Sequence, residues 1–283
     1  MRAFRSIIRL ALLSAAWLFF ATTAQAQEEV PFITTPDNVT KAMLELAKVG
    51  PGDRVIDLGS GDGRIVITAA RMGATGLGVE IVPDLVAKSR DNARRAGVAD
   101  RVEFRQQDLF ETSLEAFTVV TMYLLPELNL KLRARLLAMP AGTRVVSHDW
   151  DMGDWRPDRS IDIDVPDKAI GREKRSRVHL WIVPAKVQGT WCAKGTTLRI
   201  EQRFQAFSAT LVPPKRGDAE ALVFDGRFDA GADGTLMRAH GAVAAMEMRW
   251  TRAGIRVVAA QAPAAKDVDG ATFVPAAGPR CEG

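Results

Sequence analysis

Metal ligands of the soft kind are scarce in this chain of 283 residues, which has two cysteines and three histidines. Neither Cys192 nor Cys281 has a ligand neighbour at zinc spacing, so no structural metal site is expected. Excess charge is scarce too. The formal +4 depends on Arg2, Arg5 and Arg9, and beyond residue 26 the chain carries 35 basic and 34 acidic residues. No basic stripe is interleaved with aromatics, so nothing asks for nucleic acid. There is a single tyrosine, Tyr123. After the first segment no apolar run is long enough to span a bilayer. What is present is 47% hydrophobic residues, enough for a sizeable core, over a length that suits one large domain or a domain with an appendage.

The first segment has its own grammar. A basic start leads to the apolar run Leu10 to Ala21, then Ala24-Gln25-Ala26 before Gln27-Glu28-Glu29. These are the three regions of a secretory signal peptide, residues 1–26, and the apolar run is shorter than the ~20 residues of a membrane anchor. A periplasmic or secreted protein with no remaining membrane span is therefore expected. In an oxidising compartment Cys192 and Cys281 pair, closing a loop of about 90 residues. Chain entropy would then contribute on the order of 4–5 kcal/mol. Two unpaired thiols are the alternative.

One stretch organises the rest: Val55-Ile56-Asp57-Leu58-Gly59-Ser60-Gly61-Asp62-Gly63-Arg64. A β-branched run reads as a buried parallel strand, and Arg64 to Ala70 reads as a helix. Gly59, Gly61 and Gly63 between them make a turn whose backbone a ligand can approach, with helix N–H groups facing it. A second strand, Gly76 to Glu80, ends in an acid 23 positions after Asp57. In nucleotide-binding α/β sheets an acid at that place takes ribose hydroxyls. The third glycine comes one residue earlier than in the dinucleotide pattern G-x-G-x-x-G, and Asp57 inside the strand is foreign to that pattern.

Asp37 reads as the N-cap of a helix from Asn38 to Val49, and Pro83 to Ala96 as a crossover helix. Val102 to Phe104, Phe117 to Tyr123 and Thr143 to Ser147 continue the strands, with a helix from Leu128 to Met139, and residues 161–165 and 178–183 close the sheet. The alternation predicts an α/β fold, a doubly wound, mostly parallel seven-stranded Rossmann-like sheet. Beyond Pro184 seven short alternating runs separated by turn residues predict a small antiparallel β domain: Lys186–Trp191, Thr197–Phe204, Ala206–Val212, Leu222–Phe228, Thr235–His240, Ala245–Trp250 and Ile255–Ala260. Gly189-Thr190-Trp191 resembles the Gly-x-Trp of lipocalin-like barrels. The expected division is residues 1–26, 27–185 and 186–283.

The glycine turn with Asp57 and Glu80 resembles the motif of class I S-adenosylmethionine-dependent methyltransferases. With Pro31-Phe32-Ile33-Thr34-Thr35-Pro36, Tyr123-Leu124-Leu125-Pro126-Glu127 and Ser147-His148-Asp149, it is more narrowly similar to a lysine-methyltransferase family that includes the enzyme acting on the ATP synthase c-subunit. The resemblance implies S-adenosyl-L-methionine as cofactor and a protein lysine as acceptor. It places Asp57, Gly59, Ser60, Gly61, Asp62, Gly63, Glu80 and Asp108 around the cofactor, with Asp57 toward its amino-acid end and Asp108 on the adenine amino group. Capping of the next turn is the other role open to Asp108. Tyr123, His148 and Asp149 leave the carboxyl edge of the sheet, where ligands bind in such folds, and are the candidate catalytic groups. The absence of Asp-Pro-Pro-Tyr after the fourth strand argues against adenine or glutamine N-methylation. Because the cofactor is made in the cytoplasm, export also leaves room for a non-catalytic cofactor-binding module, or an envelope interaction protein whose β domain carries the function. N-terminal sequencing of the exported protein is expected to begin at Gln27; an intact Met1 in the envelope fraction contradicts the signal-peptide reading.

Overall fold

Strand β1 (Arg54–Leu58) is buried at four of its five positions, and its side chains alternate between two cores. Val55 packs with Val39, Met43, Ile65 and Ala69 on one face, and Ile56 with Leu132, Leu136 and Trp181 on the other. That alternation explains why helices are needed on both faces. Helices α1 (Asp37–Leu46) and α2 (Arg64–Arg71) cover the first, and α3 (Pro83–Arg95) joins them through Val86 and Ala93 against Val66 and Phe104. Helix α4 (Pro126–Ala138) covers the second. The structure, a computed structural model, describes residues 33–168, 173–214, 220–229, 233–261, 263–278 and 281. The signal segment 1–26 and the pair Pro31 and Phe32 lie outside the described residues.

The remaining strands of this sheet are β2 (Thr75–Glu80), β3 (Val102–Gln106), β4 (Val119–Met122), β5 (Arg144–His148), β6 (Arg159–Asp164) and β7 (Arg175–Ile182). Their order is β3-β2-β1-β4-β5-β7-β6. The first five strands run parallel, β7 is antiparallel to β5, and β6 is antiparallel to β7. Strand order reverses between β1 and β4. Their carboxyl ends therefore flank the switch-point crevice in which ligands of open α/β sheets bind.

Past Val187 the chain forms a closed eight-stranded antiparallel barrel, β8 (Gly189–Ala193), β9 (Thr196–Arg203), β10 (Ala206–Val212), β11 (Leu222–Phe228), β12 (Leu236–His240), β13 (Ala245–Thr251), β14 (Gly254–Ala260) and β15 (Thr272–Pro275). Trp191, Phe207, Phe224, Phe228 and Phe273 are among the side chains that fill its interior, as an eight-stranded barrel allows. Seven of these strands correspond to the alternating runs. The eighth, β15, is four residues long and follows a 3₁₀ turn (Pro263–Val268), too short to show an alternation of its own.

Three local expectations are corrected. Asp37 is the first helical residue of α1, while Pro36 takes the N-cap position with no side-chain capping bond. Helix α4 starts at Pro126, two residues early, because proline at the first position gives up no helical hydrogen bond. The run at Lys186 becomes strand only from Gly189.

Cys192 and Cys281 form a disulfide. It fastens the tail after β15 to β8, the strand with which β15 pairs to close the barrel. Cys192→Ser is expected to lower stability by about 2–5 kcal/mol. Cys281→Ser should cost the same, and the double variant no more; additive losses in urea unfolding would show that the thiols contribute separately.

Candidate cofactor and acceptor site

The turn from β1 into α2 places Gly59, Gly61 and Gly63 at φ of 76°, 53° and 81°, where side chains with a Cβ are strained. At Gly63 there is also no room, since a Cβ would lie 2.7 Å from the Phe104 ring. The N–H groups of Gly59 and Ser60 both donate to Val79 O at 2.9 Å, tying the turn to β2. Glu80 completes the tie. Its Oε2 accepts from Gly61 N at 2.9 Å, and its Oε1 accepts from Ile81 N and Val82 N at 2.8 and 3.0 Å.

Asp57 lies at the floor of this cradle, 3% exposed, and accepts a hydrogen bond from Thr121 Oγ1 at 2.7 Å. Burial, reinforced by the nearby charges of Glu80 and Asp62, pushes its carboxyl up to about 7. Ser60 Oγ is buried with no hydrogen-bond partner. A cradle with three acids, an orphaned hydroxyl and close backbone suits a ligand that brings positive charge and polar groups. A cationic sulfonium with an amino-acid tail and a ribose meets those demands. Asp57 and Ser60 are then placed for the charged end, and Glu80 for the ribose hydroxyls.

The other two acids have structural partners of their own. Asp62 is gripped by Arg64, Nε to Oδ1 at 3.0 Å and Nη2 to Oδ2 at 2.8 Å, and this holds its carboxyl below the usual carboxylate range despite burial. Arg64 also donates to Thr35 O at 2.8 Å, fastening the Thr34-Thr35-Pro36 segment to the turn. Asp108 accepts from Phe110 N at 2.7 Å and caps the 3₁₀ turn Leu109–Glu111. That is the capping role, and it leaves Oδ2 free of any hydrogen bond with a described residue.

Across the crevice the structure brings Tyr123, His148 and Asp149 together. The Tyr123 and His148 rings lie 3.9 Å apart between centroids. His148 is 1% exposed, its Nδ1 3.2 Å from Thr35 Oγ1 and its Nε2 2.8 Å from Ser176 Oγ. Burial lowers its pKa to about 4, so the ring is neutral and serves as a floor for Tyr123. Burial, reinforced by the nearby Asp149 carboxylate, raises the Tyr123 phenol pKa and keeps it protonated. Asp149, at φ 61°, accepts from Arg177 N at 2.9 Å and from Lys168 Nζ at 2.8 Å. Lys168 Nζ donates as well to Arg175 O at 2.6 Å.

Sequence reasoning misses the roles of Thr121, Arg64, Thr35, Ser176 and Lys168. Thr121 alone carries a signal, because Asp57 and Thr121 are register partners on adjacent strands. A groove of about 610 Å³ lies elsewhere, along β3 between Arg54, Arg105 and Phe117, and includes none of the acids around the glycine turn.

The raised pKa of Asp57 has a definite sign. Between the unfolded value near 3.8 and the folded value near 7 the native state holds the extra proton, so stability is lost as pH rises through that window. Asp57→Asn should therefore make the ligand-free protein more stable than the parent at pH 8, by about 1–3 kcal/mol, and no more stable at pH 4. In the parent, a cationic ligand should expel the proton. Calorimetry near pH 6.5 in buffers of different ionisation enthalpy should detect its release, and buffer-independent heats would refute the coupling.

The family of the ANTKMT methyltransferase domain matches residues 57–159. A protein-lysine N-methyltransferase of Saccharolobus islandicus is 40% identical over 138 residues, covering 48% of this chain and 86% of that protein. The human lysine N-methyltransferase of the ATP synthase c-subunit is 31% identical over 140 residues, 49% of this chain and 60% of the relative. Among solved structures, an RNA methyltransferase from Salinibacter ruber in complex with S-adenosyl-L-homocysteine is 53% identical, with a TM-score of 0.50 over 55% of this chain and 96% of that one. The relatives' matches extend over about half of the chain, and the family match over a little more than a third. With the glycine turn, the 3-2-1-4-5-7-6 sheet and these relatives in hand, the chain belongs to the family of the protein-lysine N-methyltransferases and is an S-adenosylmethionine-dependent methyltransferase.

Proposed function

We propose that the enzyme transfers the methyl group to a lysine side chain of a protein. One observation carries this reading beyond the relatives: the site already holds a lysine ammonium. Lys168 Nζ donates to Asp149 Oδ2 and to Arg175 O, and the Asp149 carboxylate in turn lies near Tyr123 at the carboxyl edge of β4 and β5. Carboxylate, phenol and carbonyl oxygen are the groups that recognise a primary ammonium. An acceptor lysine meets the same groups by displacing Lys168 or sharing Asp149 with it.

When bound, the cofactor supplies a methyl electrophile that needs no metal. The chain supplies position and proton removal. Only the neutral amine has a lone pair, so the acceptor ammonium must first lose a proton. Asp149 is the group placed to take it, and desolvation in the half-buried crevice lowers the amine pKa. Arg177 N and Lys168 Nζ orient the Asp149 carboxylate, and Tyr123, packed against the His148 ring, lies near it. Gly59, Gly61 and Gly63 would hold the cofactor at the same edge of the sheet as Asp149, which would hold the acceptor amine. We also propose that the protein works outside the cytoplasm; the Cys192–Cys281 disulfide supports this.

The Salinibacter ruber neighbour, an RNA methyltransferase, makes RNA the second acceptor class. The relatives favour methyl transfer over a non-catalytic binding role. Mature protein incubated with methyl-labelled cofactor, envelope protein and total RNA should place label on protein lysine. Asp149→Asn should cut that labelling at least 100-fold while leaving cofactor affinity within twofold. Label on RNA alone would replace the lysine reading, and lost cofactor affinity in Asp149→Asn would move that residue to the cofactor side.

A further inference from the structure

The barrel touches the methyltransferase sheet through a turn with an unusual composition. Strands β9 and β10 are joined by Phe204 and Gln205, and Phe204 sits at φ 54°. Glycine or asparagine is the ordinary occupant of that conformation, and a bulky side chain there is strained. Such strain persists where the side chain is held by something else. Here the Phe204 ring stacks on Trp155 at 6.3 Å and 24°, with the Arg133 guanidinium 5.8 Å from its centroid.

Gln205, only 4% exposed, uses both ends of its amide on the same stretch of chain. Its Oε1 accepts from Trp155 Nε1 at 2.9 Å, and its Nε2 donates to Asp158 Oδ2 at 2.8 Å. Arg203, just before the turn, pairs with Asp154 at 2.9 Å. Three consecutive barrel residues thus converge on Asp154, Trp155 and Asp158.

That stretch is the continuation of the segment bearing Asp149. From the end of β5 the chain runs through Asp149 and the exposed Trp150 to buried Met152, which bridges to Trp155. Helix α4 holds the near side, with Asn129 Nδ2 donating to Trp150 O at 3.2 Å and Arg133 Nη1 to Met152 O at 2.9 Å. The barrel holds the far side. The short loop, gripped at both flanks, links Trp155 to Asp149.

We propose that Phe204 and Gln205 make the barrel the positioning element for the acceptor loop, so that the barrel belongs to the catalytic unit as a brace. The consequence for catalysis rests on the lysine-transfer reading; the brace itself does not. The test uses the full-length mature protein carrying Phe204→Gly, since glycine suits the turn and keeps the barrel. Hydrogen exchange at residues 149–155 is expected to quicken at least 10-fold. The amount of envelope extract giving half-maximal labelling should rise 5–20-fold, while cofactor Kd stays within twofold. Gln205→Ala should reproduce this, and Phe204→Tyr should restore parental values. Unchanged exchange at 149–155 would overturn the proposal, as would cofactor affinity falling in step with labelling, because the turn would then brace the sheet as a whole. Failure of the parent to label lysine would sink the acceptor reading alone, since exchange and cofactor affinity need no acceptor.

Discussion

Everything in the nucleotide half of the site depends on a backbone that turns left-handed three times in five residues. Gly59, Gly61 and Gly63 make the bend between β1 and α2, and the Val79 carbonyl and Glu80 carboxylate hold it from the next strand. Because Glu80 already binds Gly61, Ile81 and Val82 through backbone N–H groups, its carboxylate is oriented before any ligand arrives. Pre-orientation of this kind reduces the entropy lost on binding. Asp57, just before the bend, lies among acids whose proximity and burial raise its pKa, and a cationic ligand is expected to offset that cost.

The two halves of the site are built by different means. The cofactor side is local, made from β1, β2 and the turn between β1 and α2. The proposed acceptor side is assembled from distant pieces: Thr35 from the entry segment, Tyr123 after β4, Asp149 after β5, Lys168 from the β6–β7 connection and Ser176 from β7. Arg64 joins the halves, since it grips Asp62 in the turn and Thr35 beside His148.

This difference explains what can be read from the sequence. The glycine spacing, Asp57 and Glu80 are a contiguous signature, and a β/α alternation with buried β-branched runs specifies the sheet by itself. The β domain is visible as alternating runs, but its closure is not. Closure depends on β15, four residues that pair with β8 some 80 positions earlier, a long-range register that no local pattern encodes. Likewise Lys168 looks like any surface lysine in sequence and becomes informative only when the β6–β7 hairpin carries it to Asp149. Phe204 ends one predicted run and Gln205 separates it from the next, but neither is a residue that ordinarily marks a tight turn.

The barrel's first strand, β8, is bonded on one side to β9 and on the other to β15, the last strand to be made. During synthesis β8 must wait, with one edge bare, while some 80 further residues are added. The thiols of Cys192 and Cys281, 89 positions apart, meet at the same late moment. A chain threaded outward amino end first would thus expose the growing methyltransferase sheet before its brace can exist. If the barrel is the brace proposed above, the acceptor loop lacks its far support until the barrel closes.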